Sequence, residues 1–157
     1  MTNRNARYVE QLAVGYRGYS DKPVAFPFGH GLSYTKFEYT IASAPFSRRS
    51  HNHNNTNIII RIEVKNIGPV AGAEVAQLYL TWPKSAQEPT PALRGFQKTS
   101  VLSPGSLEVV EFELGNDEIR VWDLVTNGFV QKPGVYTASV GASSRDIRVV
   151  HNFTMPA

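Results

Sequence analysis

Short runs of alternating apolar and polar residues constrain this sequence more than any other feature. Between residues 58 and 65, Ile58, Ile60, Ile62 and Val64 take every second position, and charged residues fill most of the others. A period of two places alternate side chains on opposite faces of a β-strand. The same pattern recurs at residues 37–41, 76–82, 110–114 and 136–140, and a last strand is expected at residues 147–153.

Turn-forming residues separate these runs, as in Asn66-Ile-Gly-Pro69, Ser103-Pro-Gly-Ser106 and Lys132-Pro-Gly134. Asn116 to Ile119 could form one helical turn, and no longer helical pattern is present. About seven short strands with regular turn signals are typical of an antiparallel sandwich of two sheets. We therefore predict an all-β fold, a sandwich of the immunoglobulin or fibronectin type III kind.

The first part of the chain does not share this periodicity. Pro27 and two nearby glycines, Gly29 and Gly31, disfavour a regular helix there. A sandwich of this kind needs roughly 100 residues, and the chain has 157. We assign residues 1–39 to an irregular, aromatic-rich connector and residues 40–157 to the sandwich.

Composition excludes several classes of protein. The chain has no cysteine, which excludes disulfide scaffolds and thiolate chemistry. No apolar run approaches the roughly 20 residues of a membrane-spanning helix, and no secretory signal pattern follows Met1. The net charge of +3 is concentrated in residues 1–57, whereas the body is nearly neutral, so neither nucleic acid nor a membrane is an expected partner.

The residues suggest no catalytic centre, cofactor site or metal site of their own. Glu111 and Glu113 have a suitable spacing for a carboxylate pair, but the alternation places both on the solvent face. His51 and His53 lie in a wholly polar stretch, residues 47–57, which predicts a solvated loop without further metal ligands. Aromatic residues that could stack on sugars are Tyr16, Tyr19, Tyr79, Trp82 and Trp122, with Tyr79 as the main outward-facing candidate.

A series of ordered motifs resembles the C-terminal fibronectin type III-like domain of glycoside hydrolase family 3 enzymes of the β-glucosidase type, together with the end of the preceding α/β domain. The most specific motif is the decapeptide from Phe26 to Thr35, Phe-Pro-Phe-Gly-His-Gly-Leu-Ser-Tyr-Thr. The others are Val14-Gly-Tyr-Arg17, Val64-Lys-Asn-Ile-Gly68, Gly72 to Leu80, Leu93-Arg-Gly-Phe96, Pro104-Gly105, Trp122-Asp123, Gly134-Val-Tyr136 and Val140 to Ile147. Phe129 stands where the family commonly has tryptophan.

The resemblance implies that the catalytic aspartate and glutamate of a retaining glycosidase lie upstream of these motifs. The parent reaction would be hydrolysis of terminal β-D-glucosyl residues, and this chain alone is predicted to be inactive. Its partner would be the catalytic domains, in cis or in trans. The residues expected at that interface are Tyr16, Arg17, Phe26, Phe28, His30 and Tyr34.

Two further expectations remain open at this stage. Asn54 and Asn152 fit the N-glycosylation sequon, and the family resemblance implies an extracellular protein, although a cytoplasmic one is compatible with the absence of a signal pattern. The alternative to an accessory domain is a stand-alone module that binds glycans or protein. A large exposed apolar surface on the connector would indicate a missing neighbour.

Overall fold

The computed structural model describes residues 7–19, 21–49, 56–89 and 91–156. Nine antiparallel strands and one helical turn follow the connector within these ranges. They are β1 (Phe37–Arg49), β2 (Thr56–Asn66), β3 (Val75–Thr81), β4 (Ala92–Lys98), β5 (Leu107–Leu114), α1 (Asn116–Ile119), β6 (Val121–Asp123), β7 (Gly128–Val130), β8 (Gly134–Ser143) and β9 (Asp146–Met155). Two short 3-10 turns span Gly15–Gly18 and Lys84–Ala86.

The strands form two facing sheets and one small hairpin. One sheet has the order β1-β2-β5, the other has the order β4-β3-β8-β9, and β6 pairs with β7. The core between the sheets takes the inward members of each alternating run, among them Ile60, Leu78, Phe112 and Tyr136. The predicted all-β sandwich is therefore confirmed.

Strand β1 begins where the alternation predicts and ends later than predicted. It starts at Phe37, and Phe37 and Tyr39 belong to the core, so the sandwich packing includes the last residues that we assigned to the connector. At the far end, Arg49 pairs with Thr56, so the strands extend into the stretch predicted as a loop. Ile41 is partly exposed, because the register of β1 against β2 shifts between Ile41 and Ser43.

The helical turn α1 ties the start of the β6–β7 hairpin to the sandwich. Ile119 is buried, and its carbonyl accepts a 2.7 Å hydrogen bond from the indole Nε1 of Trp82. The guanidinium of Arg94 lies over the same indole ring, 4.8 Å from its centroid. Trp82 is therefore a core residue, and not one of the sugar-stacking surface aromatics considered above. None of the helices in the described part of the chain has the length and hydrophobicity needed to span a bilayer.

Candidate functional site: the connector and its two faces

The connector lies across the outer face of the β4-β3-β8-β9 sheet. Alternation along β3 directs Gln77 and Tyr79 away from the core, as the sequence indicates, but Tyr79 is 0% exposed. The expectation that Tyr79 is an exposed aromatic platform is therefore wrong. The direction of its side chain follows from the period of two, whereas its burial comes from residues far away in sequence, Tyr16, Phe28 and Gly29, which cover it.

Gly29 makes the closest approach between connector and sheet. Nε2 of Gln77 donates to the carbonyl of Gly29 at 3.0 Å and to that of Ala142 at 2.7 Å, and Oε1 of Gln77 accepts from the Tyr79 hydroxyl at 2.6 Å. Gly29 has φ +78°, and a Cβ at this position would lie 2.0 Å from Gln77 Oε1. Only glycine fits both the backbone conformation and the space. We call this arrangement the Gly29 latch.

Aromatic stacking continues the contact beside the latch. The rings of Tyr16 and Phe28 stack with centroids 4.1 Å apart, and Tyr16 meets Tyr79 edge to face. The Tyr16 hydroxyl also accepts a 2.7 Å hydrogen bond from the backbone N–H of Leu93. Burial, and to a lesser extent the neighbouring Tyr16, raises the pKa of Tyr79 far above its ordinary value, so its hydroxyl remains a hydrogen-bond donor.

Two arginines attach the connector at its flanks. Arg17 pairs with Glu88 at 2.8 Å and donates from Nε, at 2.9 Å, to the carbonyl of Pro89. From the β8–β9 turn, Arg145 donates to the carbonyls of Tyr19 and Lys22. Arg145 thus binds backbone oxygens of the connector, and Arg17 binds that of Pro89 in the loop before β4, so the two side chains attach the connector from opposite directions.

Asn66 fixes the end of the connector where it enters β1. Its side chain is fully buried, and Oδ1 accepts from the Thr35 hydroxyl at 2.7 Å and from the Gly68 N–H at 3.0 Å. Nδ2 donates to the carbonyls of Val70 and Leu102, both at 2.8 Å. One amide therefore joins the connector, the β2–β3 turn and the segment before β5.

The opposite face of the connector is apolar and open. Leu32 is 94% exposed and Tyr34 is 99% exposed, and Phe26, 74% exposed, contacts the ring of His30 at 5.5 Å. A cleft of about 430 Å³ adjoins this face, and Phe26, Phe28 and Arg145 contribute to its walls. We refer to Phe26, Leu32 and Tyr34 as the outer connector surface.

The six predicted interface residues thus divide into two groups. Tyr16 and Arg17 contact the sandwich of the same chain through their side chains. Phe28 contacts it through its carbonyl, which accepts from the Ser144 N–H, while its ring stacks on Tyr16 and remains partly exposed. Phe26, His30 and Tyr34 face outward. The sequence reasoning missed Gln77, Gly29, Asn66 and Arg145. Alternation in β3 does place Gln77 on the same outer face as Tyr79. Nothing in the sequence indicates that its partner there is the carbonyl of Gly29.

A charged cluster lies where the connector passes the edge strands β1 and β9. Glu74 accepts from the Tyr39 hydroxyl at 3.0 Å, and Arg148 pairs with both Glu74, at 3.5 Å, and Asp146, at 2.9 Å. Burial raises the pKa of Glu74, and burial followed by the charge of Glu74 raises that of Tyr39 well beyond its usual range. The carboxylates face an arginine, so this cluster is an ionic network that closes the sandwich edge.

The remaining acidic and histidine candidates do not converge on a site. Glu111 pairs with Arg61 at 2.7 Å, and Glu113 accepts from the Asn57 amide. In the described ranges, no three histidine, cysteine or acidic residues cluster as metal ligands would. His51, His53 and Asn54 lie outside the described residues.

The sequence of this chain is similar to a family model and to parts of longer proteins. A family model described as "Fibronectin type III-like domain" matches residues 74–144. Probable beta-glucosidase D of Aspergillus niger is 35% identical over 94% of this chain, which corresponds to 22% of the relative. Thermostable beta-glucosidase B of Acetivibrio thermocellus is 39% identical, over 89% of this chain and 18% of the relative.

Solved structures give the same relationship. The beta-D-glucoside glucohydrolase from Trichoderma reesei matches 98% of this chain with a TM-score of 0.84 and 32% identity, and the match covers 24% of that structure. A GH3 beta-glucosidase from Bifidobacterium adolescentis matches 93% of this chain with a TM-score of 0.78 and 34% identity, over 21% of that structure. The chain therefore spans about a fifth of the length of the relatives it matches. Because the matches extend over nearly the whole chain, they include the connector as well as the sandwich.

Proposed function

This chain belongs to the fibronectin type III-like domains of glycoside hydrolase family 3, and from that premise we propose that it is the structural accessory domain of a β-glucosidase-type enzyme. Its role is to pack against the catalytic domains through the outer connector surface. The parent reaction is retaining hydrolysis of terminal β-D-glucosyl residues. The catalytic carboxylates belong to the parent's other domains, and this chain contributes none.

The observation that carries this proposal is the contrast between the two faces of the connector. Its inner face is bonded to the sandwich by the Gly29 latch and Arg17. Its outer face leaves Phe26, Leu32 and Tyr34 largely uncovered. Large exposed apolar side chains grouped on one segment mark a surface that associates with another. The partner's size follows from the relatives, in which about four-fifths of the length lies outside the matched segment.

The test compares this chain alone with a chimera. This chain replaces the equivalent segment of the Trichoderma reesei glucohydrolase, and Tyr34→Asp is introduced into both proteins. We expect the substitution to leave the melting temperature of the isolated chain unchanged within error and to lower that of the chimera by several degrees, because only the chimera buries Tyr34.

Phe96→Asp is the matched control. Phe96 is 72% exposed, like the outer connector residues, but lies on β4 of the sandwich. It should affect the chimera no more than the isolated chain. Equal effects of Tyr34→Asp in both proteins would refute packing through the outer connector surface. Association in trans, the second arrangement compatible with this surface, predicts instead that the isolated chain restores activity to a separately expressed catalytic part.

The isolated chain is expected to release no p-nitrophenol from p-nitrophenyl β-glucoside. Turnover that disappears in a Glu→Gln variant of this chain would contradict the assignment of the catalytic residues to other domains.

An extracellular location is a further part of the proposal. It draws on the family relationship and on Asn152, which is exposed on the edge strand β9 within a sequon. Secretion from a eukaryotic host followed by enzymatic deglycosylation should reduce the mass of the chain, and Asn152→Gln should remove the part of that shift due to this site. An unshifted mass would argue against glycosylation.

A further inference from the structure

The β6–β7 hairpin presents an aromatic pair that the proposed docking does not use. Trp122 and Phe129 are directly opposite in the strand register. Their rings meet edge to face, with centroids 5.2 Å apart and an interplanar angle of 80°. Trp122 is 48% exposed and Phe129 is 66% exposed. Together they form an open right-angled corner, with the turn residues Leu124 and Val125 beside it.

Hydrogen bonds hold this corner in a fixed shape. Oδ1 of Asp123 accepts from the N–H groups of Val125 and Thr126, at 3.0 and 2.8 Å, and from the Thr126 hydroxyl at 3.1 Å. Oδ2 pairs with the ammonium of Lys132. The Lys132 hydrogen bond, followed by that of the Thr126 N–H, keeps the pKa of Asp123 far below its usual range. Asp123 thus caps the turn, and these bonds stabilise a two-stranded hairpin that would be marginal alone.

The chemistry of the corner selects the kind of ligand. Asp123 is the charged residue within the hairpin, and Lys132 neutralises it, so residues 121–130 offer no unpaired charge to an ionic partner. Trp122 is half exposed and carries an indole N–H donor, and the turn adds the polar Thr126 and Asn127. An exposed tryptophan combines a flat apolar ring with an N–H hydrogen-bond donor. Such a surface suits a ligand that has both C–H faces and hydroxyl groups.

The size of the hairpin argues against a protein as the occupant. Each strand has three residues, whereas a stable protein interface buries at least about 1,000 Å² in total. A single sugar ring, in contrast, is small enough to stack on the Trp122–Phe129 pair alone. We propose that Trp122 and Phe129 form a stacking site for a neutral glycan chain. The ligand class accords with the proposed function, but the site does not depend on docking to catalytic domains.

The experiment uses the 157-residue chain with cellohexaose and xylohexaose as soluble probes and insoluble cellulose as a matrix. Tryptophan fluorescence is specific here, because Trp82, the other tryptophan, is 4% exposed and bonded to Ile119. We expect a probe to shift the emission of Trp122 and the chain to be retained on cellulose. Trp122→Ala and Phe129→Ala should each reduce retention by about tenfold or more, and Phe96→Ala, which removes an exposed phenylalanine elsewhere, should not.

Three results would overturn the proposal. The first is no emission shift and no retention of the unsubstituted chain at millimolar probe. The second is equal loss of retention in all three variants, which indicates general adsorption to apolar surface. The third is an effect of Trp122→Ala on the sedimentation of the chain and not on retention, which indicates a protein contact. None of these bears on Tyr34→Asp in the chimera, so failure here is distinct from failure of the docking proposal.

Discussion

Replacement of Gly29 by alanine tests whether the connector is bonded to the sandwich as described. The new Cβ would lie 2.0 Å from Gln77 Oε1 and 2.9 Å from the Tyr79 hydroxyl, at a backbone φ of +78°. An L-residue in this left-handed conformation costs roughly 1 kcal/mol. Displacing Gln77 also breaks its hydrogen bonds to Gly29, Ala142 and Tyr79, each worth about 1 kcal/mol. The expected loss of unfolding free energy is therefore about 4 kcal/mol.

Two other connector glycines separate these contributions. Gly15 has φ +58° with open space around its Cβ direction, and Gly31 has open space without a positive φ. Gly15→Ala should therefore cost about 1 kcal/mol from conformation alone, and Gly31→Ala should be close to neutral. Urea unfolding followed by tryptophan fluorescence, to which the exposure of buried Trp82 contributes, gives all three values on one scale.

Hydrogen exchange then locates the effect of Gly29→Ala. The N–H of Ser144 donates to the carbonyl of Phe28 at 2.9 Å, so loosening of the connector should speed its exchange before the amides of β3 are affected. A Gly29→Ala loss within about 0.5 kcal/mol of the Gly15→Ala loss would refute the Gly29 latch.

Three further predictions concern the anchors of the connector and the sandwich edge. Asn66→Ala removes four hydrogen bonds, two of them fully buried, and should lower the unfolding free energy by about 3 kcal/mol in urea titrations. Arg17→Lys keeps the positive charge facing Glu88 but loses the guanidinium's paired hydrogen bonds to the Pro89 carbonyl. The substitution should lower the unfolding free energy by about 1 kcal/mol in the same assay. Glu74 has a raised pKa in the folded state, so its contribution to stability falls as pH rises from its ordinary pKa through the folded value. Glu74→Gln should therefore gain stability relative to the parent chain as pH rises above about 4.5, and a constant difference would contradict the burial of Glu74 beside Arg148.

The sandwich could be predicted from the sequence because alternation is a local signal. Ile60, Leu78 and Tyr136 lie in the core where the period of two places them. The β6–β7 hairpin was not predicted, because strands of three residues are too short to establish a period. The partial exposure of Ile41 was also missed, since a register shift inside a strand leaves no mark in the alternation.

The burial of Tyr79 could not be predicted for a different reason. Alternation determines to which face of a sheet a side chain points, but what covers that face depends on contacts between residues far apart in sequence. Tyr16 and Gly29 are 63 and 50 positions from Tyr79, and neither lies in a periodic segment. The motif resemblance marked the connector as a docking segment, but gave no means of telling which of its side chains face the sandwich.

The two faces of the connector make different kinds of contact. On the inner face, much of the attachment is polar and directed at backbone, as in the bonds from Gln77 to Gly29 and from Arg17 to Pro89. Such bonds contribute specificity of position but a modest net free energy each. Leu32 and Tyr34, whose burial would contribute most per residue, contact the sandwich least. A segment serving only to cover the sheet would turn these side chains inward, so the polar bonds hold the backbone in place while the apolar residues are presented outward. Under the proposed docking, these side chains would be buried only against the catalytic domains, so substitutions on the outer connector surface should not change the stability of the isolated chain.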